Sequence, residues 1–194
     1  MITNKEDLKN YLEIEKKLCT EVGYKGRLHS FITQCEVGKI TQFMKILRLD
    51  EYYSNTCKKN PFKKLMSIYY RRKHNKLGLM LGISIPINTF ERGLLIYHSC
   101  GIVVHRDARC GQYCKLHGMN CIGNNGVGSG VDNSPKIGDH LDLGIGAKII
   151  GNVTLADNTT VAARAAVCKS FDTPYQVLAG IPAKILKIKS VKEI

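Results

Sequence analysis

The chain has 194 residues, 44% of them hydrophobic and 23% charged. Those proportions suit one compact domain, or a domain with a smaller appendage, and exclude a large multidomain machine, wholesale disorder and a collagen-like repeat. Lys and Arg number 29 against 16 Asp and Glu, a formal charge of +13, so partners are expected to be anionic: nucleic acid, an acidic membrane surface, a phosphorylated cofactor or a nucleotide-linked substrate.

No stretch approaches the ~20 apolar residues of a membrane span, and the first seven residues lack the apolar core of a signal peptide. The cytoplasm is therefore the expected compartment. There the eight cysteines, none in a CxxC pair, stay reduced, and no metal site is expected.

From Lys5 to about Asp50, Leu8, Tyr11, Leu12, Ile14 and Leu18, then Phe43, Ile46 and Leu47, recur at three- and four-residue steps among charged neighbours, which is the spacing of amphipathic helices. A further helix is expected to open at Pro61 and to stop at Gly78. Three or four helices then make up an N-terminal helical region, residues 1–80. Lys58, Lys59, Lys63, Lys64, Arg71, Arg72, Lys73 and Lys76 cluster there with no acid among them. That run fits a nucleic-acid patch, a peripheral membrane contact over 58–76, or a solvated helix face. No recognised motif for specific nucleic-acid binding accompanies it.

After about Gly82 the helical period gives way to a period of six. Val104, Cys110, Leu116 and Ile122, then Ile137, Leu143, Ile149, Leu155, Val161 and Val167, place an aliphatic residue or Cys at every sixth position. Small or aliphatic residues recur four places later, as at Ala108, Cys114, Leu141, Ala147, Val153, Thr159 and Ala165. Each hexapeptide then makes a short strand and a turn, three close a triangular coil, and coils stack by parallel pairing. The aliphatic residue points inward, and Asn152 and Asn158 suit the unusual backbone angles of corners. Between Ile122 and Ile137 the register slips by fifteen residues, so the segment at about 123–136 is expected to leave the coil as a loop.

Three stretches in order, residues 94–104 (LLIYHSCGIVV), 135–152 (PKIGDHLDLGIGAKIIGN) and 179–184 (AGIPAK), resemble the hexapeptide-repeat acyltransferases, and among them the serine acetyltransferase branch. The resemblance covers about residues 82–188. It implies an α+β, mainly β, protein: the helical region followed by a left-handed parallel β-helix over 81–190 with a C-terminal tail. It further implies a homotrimer and acetyl transfer from acetyl-CoA to a hydroxyl.

That chemistry needs a general base to take the hydroxyl proton as oxygen attacks the thioester carbonyl. His98 falls on the position of the family's base, and by the six-residue count it takes a slot where an aliphatic residue is expected. His117 is its nearest rival and a candidate for orienting the acceptor. The other four histidines are given no role. Positions matching the family's contacts to the coenzyme are Ile145, Ala163, Lys169, Lys184 and Lys187, the lysines meeting phosphates as point charges. Cys110 and Cys114 read as packing residues. Cys100, two residues from His98, would serve as an acyl-enzyme nucleophile only if transfer were not direct.

The departures from the serine-specific pattern bear on the acceptor. The family carboxylate that orients the base falls on Ile83. The Asp before the base is Tyr97, and the loop pattern Asp-Arg-His-Pro reads Asp132-Asn133-Ser134-Pro135. A zwitterionic amino acid demands charged partners, since burying either charge unpaired costs several kcal/mol. Tyr97, His117, Asn133 and Ser134 are therefore assigned to the acceptor, and a sugar or polysaccharide precursor is expected ahead of free serine. Two other outcomes stay open: serine O-acetylation, and a catalytically silent hexapeptide protein that binds or assembles.

Overall fold

The computed structural model describes residues 1–23, 32–33, 35–58, 60–126 and 133–190. Lys59 of the basic run, and the middle of the expected loop including Asp132, lie outside the described residues.

Three long helices come first: α1 (Lys5–Glu21), α2 (Glu36–Thr56) and α3 (Pro61–Leu81). Asn4 caps α1 by accepting a hydrogen bond from the Asp7 amide, and Asn60 caps α3 by accepting from that of Lys63. The stop expected at Gly78 is not one: α3 runs to Leu81 and ends on Gly82, which takes the left-handed conformation. Gly78 instead marks a close approach, because a Cβ there would lie 2.6 Å from the carbonyl oxygen of Ile83. Arg72, Lys73 and Lys76 lie on the exposed side of α3 beside exposed Phe62, Leu65 and Ile68, while Arg71 pairs with buried Asp50 at 2.8 Å.

The rest of the chain winds into three parallel faces. One face is β1 (Ile83–Ser84), β3 (Ile102–Val104), β6 (Cys121–Gly123), β9 (Lys148–Ile150) and β12 (Ala166–Val167). A second is β4 (Arg109–Cys110), β7 (Lys136–Ile137) and β10 (Thr154–Leu155). The third is β2 (Leu95–Ile96), β5 (Lys115–Leu116), β8 (Asp142–Leu143), β11 (Thr160–Val161) and β13 (Gln176–Ala179), with β14 (Lys184–Ile188) closing it antiparallel. The result is a left-handed parallel β-helix capped at one end by the helices.

All ten period-six residues from Val104 to Val167 are buried. Each stacks on its equivalent one coil away, as Val161 on Leu143 and Val167 on Ile149. Burying such a side chain is worth ~1.5–3 kcal/mol, and the ladder repeats that gain without needing long strands. The corners use left-handed backbone: Tyr113, His140, Asn158 and Tyr175 follow one corner, and Gly101, Met119, Gly146 and Arg164 another. Asn158 is one of these residues as expected, whereas beside Asn152 the left-handed residue is Gly151. Ile122 pairs with Ile149 and Ile137 with Cys110, so a step of one face takes fifteen residues where six suffice, leaving nine extra.

One apolar core runs from α2 and α3 through the coils. At the junction fully buried Arg48 bridges Glu15 (2.7 Å) and Glu51 (2.8 Å) and donates to the carbonyls of Phe90 and Glu91. Burial pushes the Glu15 carboxyl up, against the pull of Arg48.

Candidate active site

His98 follows β2 at the corner leading to β3. The pairings Ile96–Leu116 and Val103–Cys121 give seven steps across this corner against five in the coil below, so two residues are extra. They push His98 outward. Its side chain is 66% exposed, and the inward slot that the six-residue count assigned to it belongs to Ile96, which is fully buried. Gly118 lies beneath with φ +109, and a Cβ there would sit 3.2 Å from that of His98. Cys100 and Gly101, both left-handed, return the chain to the coil, and the Cys100 amide donates to the carbonyl of Leu81 at the end of α3.

A carboxylate that sequence reading missed stands beside this histidine. Glu36, the first residue of α2, accepts on Oε1 from the Ser99 amide (2.6 Å) and the Ser99 hydroxyl (2.7 Å). Its Oε2 lies 3.7 Å from His98 Nδ1. The two Ser99 hydrogen bonds, with His98 adding to them, hold the Glu36 carboxyl below the usual carboxylate range. Ile83, at the family's carboxylate position, is buried in β1.

One coil down, His117 stacks on Tyr97 with ring centroids 4.5 Å apart and planes at 19°. Its Nε2 is 2.8 Å from Asp142 Oδ1. An ionised carboxylate only accepts, so Nε2 carries the proton and Nδ1 is left as the ring's other polar atom. Burial, and then the Asp142 charge, push the Tyr97 phenol up. Tyr97, His98 and His117 are thus brought together with Glu36 and Asp142 at one corner.

The loop residues are not brought to it within this subunit. Asn133 and Ser134 lie at the approach to β7, and Ser134 is fully buried with its hydroxyl 3.1 Å from His105 Nδ1, at the corner after β3. Ser134, assigned to the acceptor from the sequence, has its hydroxyl engaged inside the fold of the single chain.

The edge below His98 runs through Gly118, Gly146 and Arg164, where the Gly146 amide donates to the Gly118 carbonyl and the Arg164 amide to that of Ile145, linking coil to coil. Ile145 and Ala163 are exposed along it, and Gly144 packs so closely that a Cβ would lie 2.7 Å from the Ala163 amide nitrogen. Lys184 and Lys187 are exposed on β14. Lys169 stands apart, past β12 at a different corner, with its ammonium over the Phe171 ring. Small residues along an open edge with lysines at its far end suit an elongated, phosphate-bearing thioester. Cys110 and Cys114 are buried, and burial raises both thiols, that of Cys114 to about 12. Cys100 is exposed, its sulfur 3.7 Å from the Ser99 hydroxyl.

No protein-family model matches the chain. It is 34% identical over 117 residues to "Serine acetyltransferase 2" of Arabidopsis thaliana, covering 59% of this chain and 35% of that one. It is 30% identical over 113 residues to the serine acetyltransferase of Escherichia coli K12, covering 58% and 41%. The chain therefore spans less than half the length of these curated relatives. Among solved structures, a serine acetyltransferase from Brucella abortus strain S19 in complex with coenzyme A superposes with a TM-score of 0.74 at 21% identity, covering 96% of this chain and 70% of that one. Soybean serine acetyltransferase complexed with serine gives 0.74 at 20% identity, covering 94% and 70%. At these identities the superpositions carry the fold; the sequence matches carry the likeness to the serine acetyltransferase branch.

Proposed function

We propose that this serine acetyltransferase-like chain transfers the acetyl group of acetyl-CoA to a hydroxyl, with His98 as general base. His98 takes the hydroxyl proton as the oxygen attacks the thioester carbonyl. The C–S bond then breaks, and the departing thiolate recovers the proton from the imidazolium. The observation that carries this reading is the outward imidazole of His98, held on a lengthened corner at the head of the open edge lined by Ile145 and Ala163. The coenzyme is assigned to that edge, with Lys184 and Lys187 toward its phosphates.

L-Serine is the acceptor we favour. The relatives matched in sequence bear that name, and the Asp142 carboxylate beside His117 offers an ammonium the charged partner that the sequence pattern lacks. A glycan hydroxyl is the second reading, favoured by the Tyr97–His117 stack as a flat wall for a sugar ring; the burial of Ser134 removes part of its support. We further infer a homotrimer, since Met119 and Ile145 leave apolar surface exposed beside His98. Contact of the α3 lysines with an anionic membrane surface remains a separate expectation.

CoA release from acetyl-CoA, measured with L-serine and in parallel with free amino sugars and nucleotide sugars, tests the reading. Turnover with serine that falls ~10²-fold or more in His98→Ala is expected. Turnover with sugars alone would replace the acceptor, and no thioester cleavage with any hydroxyl would leave the silent binding protein.

A further inference from the structure

We infer that Glu36 is the residue that positions His98, so that the helical region contributes a working part to a site otherwise built by the β-helix. This rests on the proposed role of His98 as base. The Glu36 carboxylate is firmly held. Two donors of one residue, the amide and hydroxyl of Ser99, fix Oε1 at 2.6 and 2.7 Å, and Ser99 is the immediate neighbour of the histidine. With Oε1 fixed, Oε2 faces Nδ1 of His98 at 3.7 Å, longer than a formed hydrogen bond but of the kind that tightens on closure of a substrate complex.

A carboxylate at Nδ1 sets the tautomer: the proton sits on Nδ1 and Nε2 is left as the basic nitrogen. It also stabilises the imidazolium that forms as the acceptor proton is taken. Glu36 is well placed to stay ionised, because it opens α2, where the helix dipole favours negative charge. The backbone supports the same pairing from the other side. The Cys100 amide donates to Leu81 and that of Ile102 to Gly82, tying the histidine's corner to the end of α3, which packs against α2. No corresponding acid stands at Ile83, whose side chain is in the core.

The groups around His98 on every packed element are few. Glu36 comes from α2, with Lys39 one turn further along that helix. Tyr97 precedes His98 and Cys100 lies two residues after it, while His117 lies one coil below and Asp142 in the coil below that. Only Glu36 places a charged oxygen at Nδ1 among the described residues.

The test uses the whole chain and needs no substrate. Histidine ring signals are followed by NMR through a pH titration, with His98 assigned by its loss in His98→Ala. In Glu36→Gln, which keeps an oxygen for Ser99, the Nδ1-protonated tautomer of the neutral ring is expected to lose its dominance. Glu36→Asp should recover part of that preference, and Ser99→Ala, which frees one hold on the carboxylate, should weaken it less. A His98 tautomer unchanged in a folded Glu36→Gln protein would overturn the inference. Because the readout is the imidazole itself, that failure is distinct from a failure to find acetyl transfer.

Discussion

The helical region and the β-helix meet the same demand for a buried core in opposite ways. The β-helix repeats one solution: an aliphatic residue in every sixth place, each stacked on its equivalent one coil away, as in the Leu116–Leu143–Val161 column. The helical region has no repeat: Arg48 with Glu15 and Glu51, and Asp50 with Arg71 and His74, tie its helices to one another, and Arg48 docks it on the carbonyls of Phe90 and Glu91. Repetition spreads stability over many equal parts, whereas a singular network concentrates it in a few residues. The site lies where the two regions meet, so it inherits a rigid floor from one and a single side chain from the other.

That contrast breaks most sharply at Arg48. Arg48→Ala leaves two buried carboxylates facing each other and is expected to cost ~3–5 kcal/mol, a fall in melting temperature of roughly 6–20 °C for a chain of this size. Calorimetry or denaturant titration checks it, and Arg48→Met with Glu15→Gln and Glu51→Gln should recover part of the loss. In the repetitive part, Leu143→Ala is expected to cost ~2–4 kcal/mol as a cavity, with similar values for Ile122→Ala and Ile149→Ala. Losses that varied widely among these slots would contradict the picture of equal parts.

A smaller effect is expected from acid. The burial of Asp50 opposes its ionisation, but hydrogen bonds from His74 and Arg71 win and hold its carboxyl below the usual range. A depressed native value means that its contribution is complete above the unfolded value, about 3.9, and is lost as pH falls through the native one. Stability should therefore drop below about pH 4 in the native chain, and Asp50→Asn should flatten that part of the curve while lowering stability at neutral pH. The smallest change in stability is expected at Gly118. Gly118→Ala strains a left-handed position and crowds the Cβ of His98 at 3.2 Å. It should cost ~1–2 kcal/mol while reducing the proposed acetyl transfer by about tenfold; unchanged turnover would show that His98 tolerates displacement.

What could be read from the sequence follows the same division. A period of six is a local rule, so the coil, its inward residues and the extra loop residues after Ile122 were all legible. Asn158 was legible as a corner residue because asparagine tolerates left-handed backbone. The two-residue lengthening at His98 was not, since counting by six carries the slot straight onto the histidine and hides Ile96 behind it. Gly78 misled for the opposite reason: its lack of a side chain answers a chain crossing at Ile83, a contact between elements that no helix pattern records. Glu36 could not be found by motif spacing, because the pairing joins residues 62 positions apart in regions with different periods. Its one local sign was an acid in the first turn of a helix. Asp142 hid in the same way, as an ordinary polar residue beside an inward leucine.

The central claim is that the helical region acts on the chemistry through His98 and nothing else. A double-mutant cycle on acetyl-CoA turnover tests it most directly, with kcat measured for the native chain, Glu36→Gln, His98→Ala and the double variant. The account predicts that Glu36→Gln lowers kcat by about tenfold when His98 is present and by nothing further when it is absent. An equal loss in both backgrounds would contradict it, placing Glu36 in some other role than orienting the base.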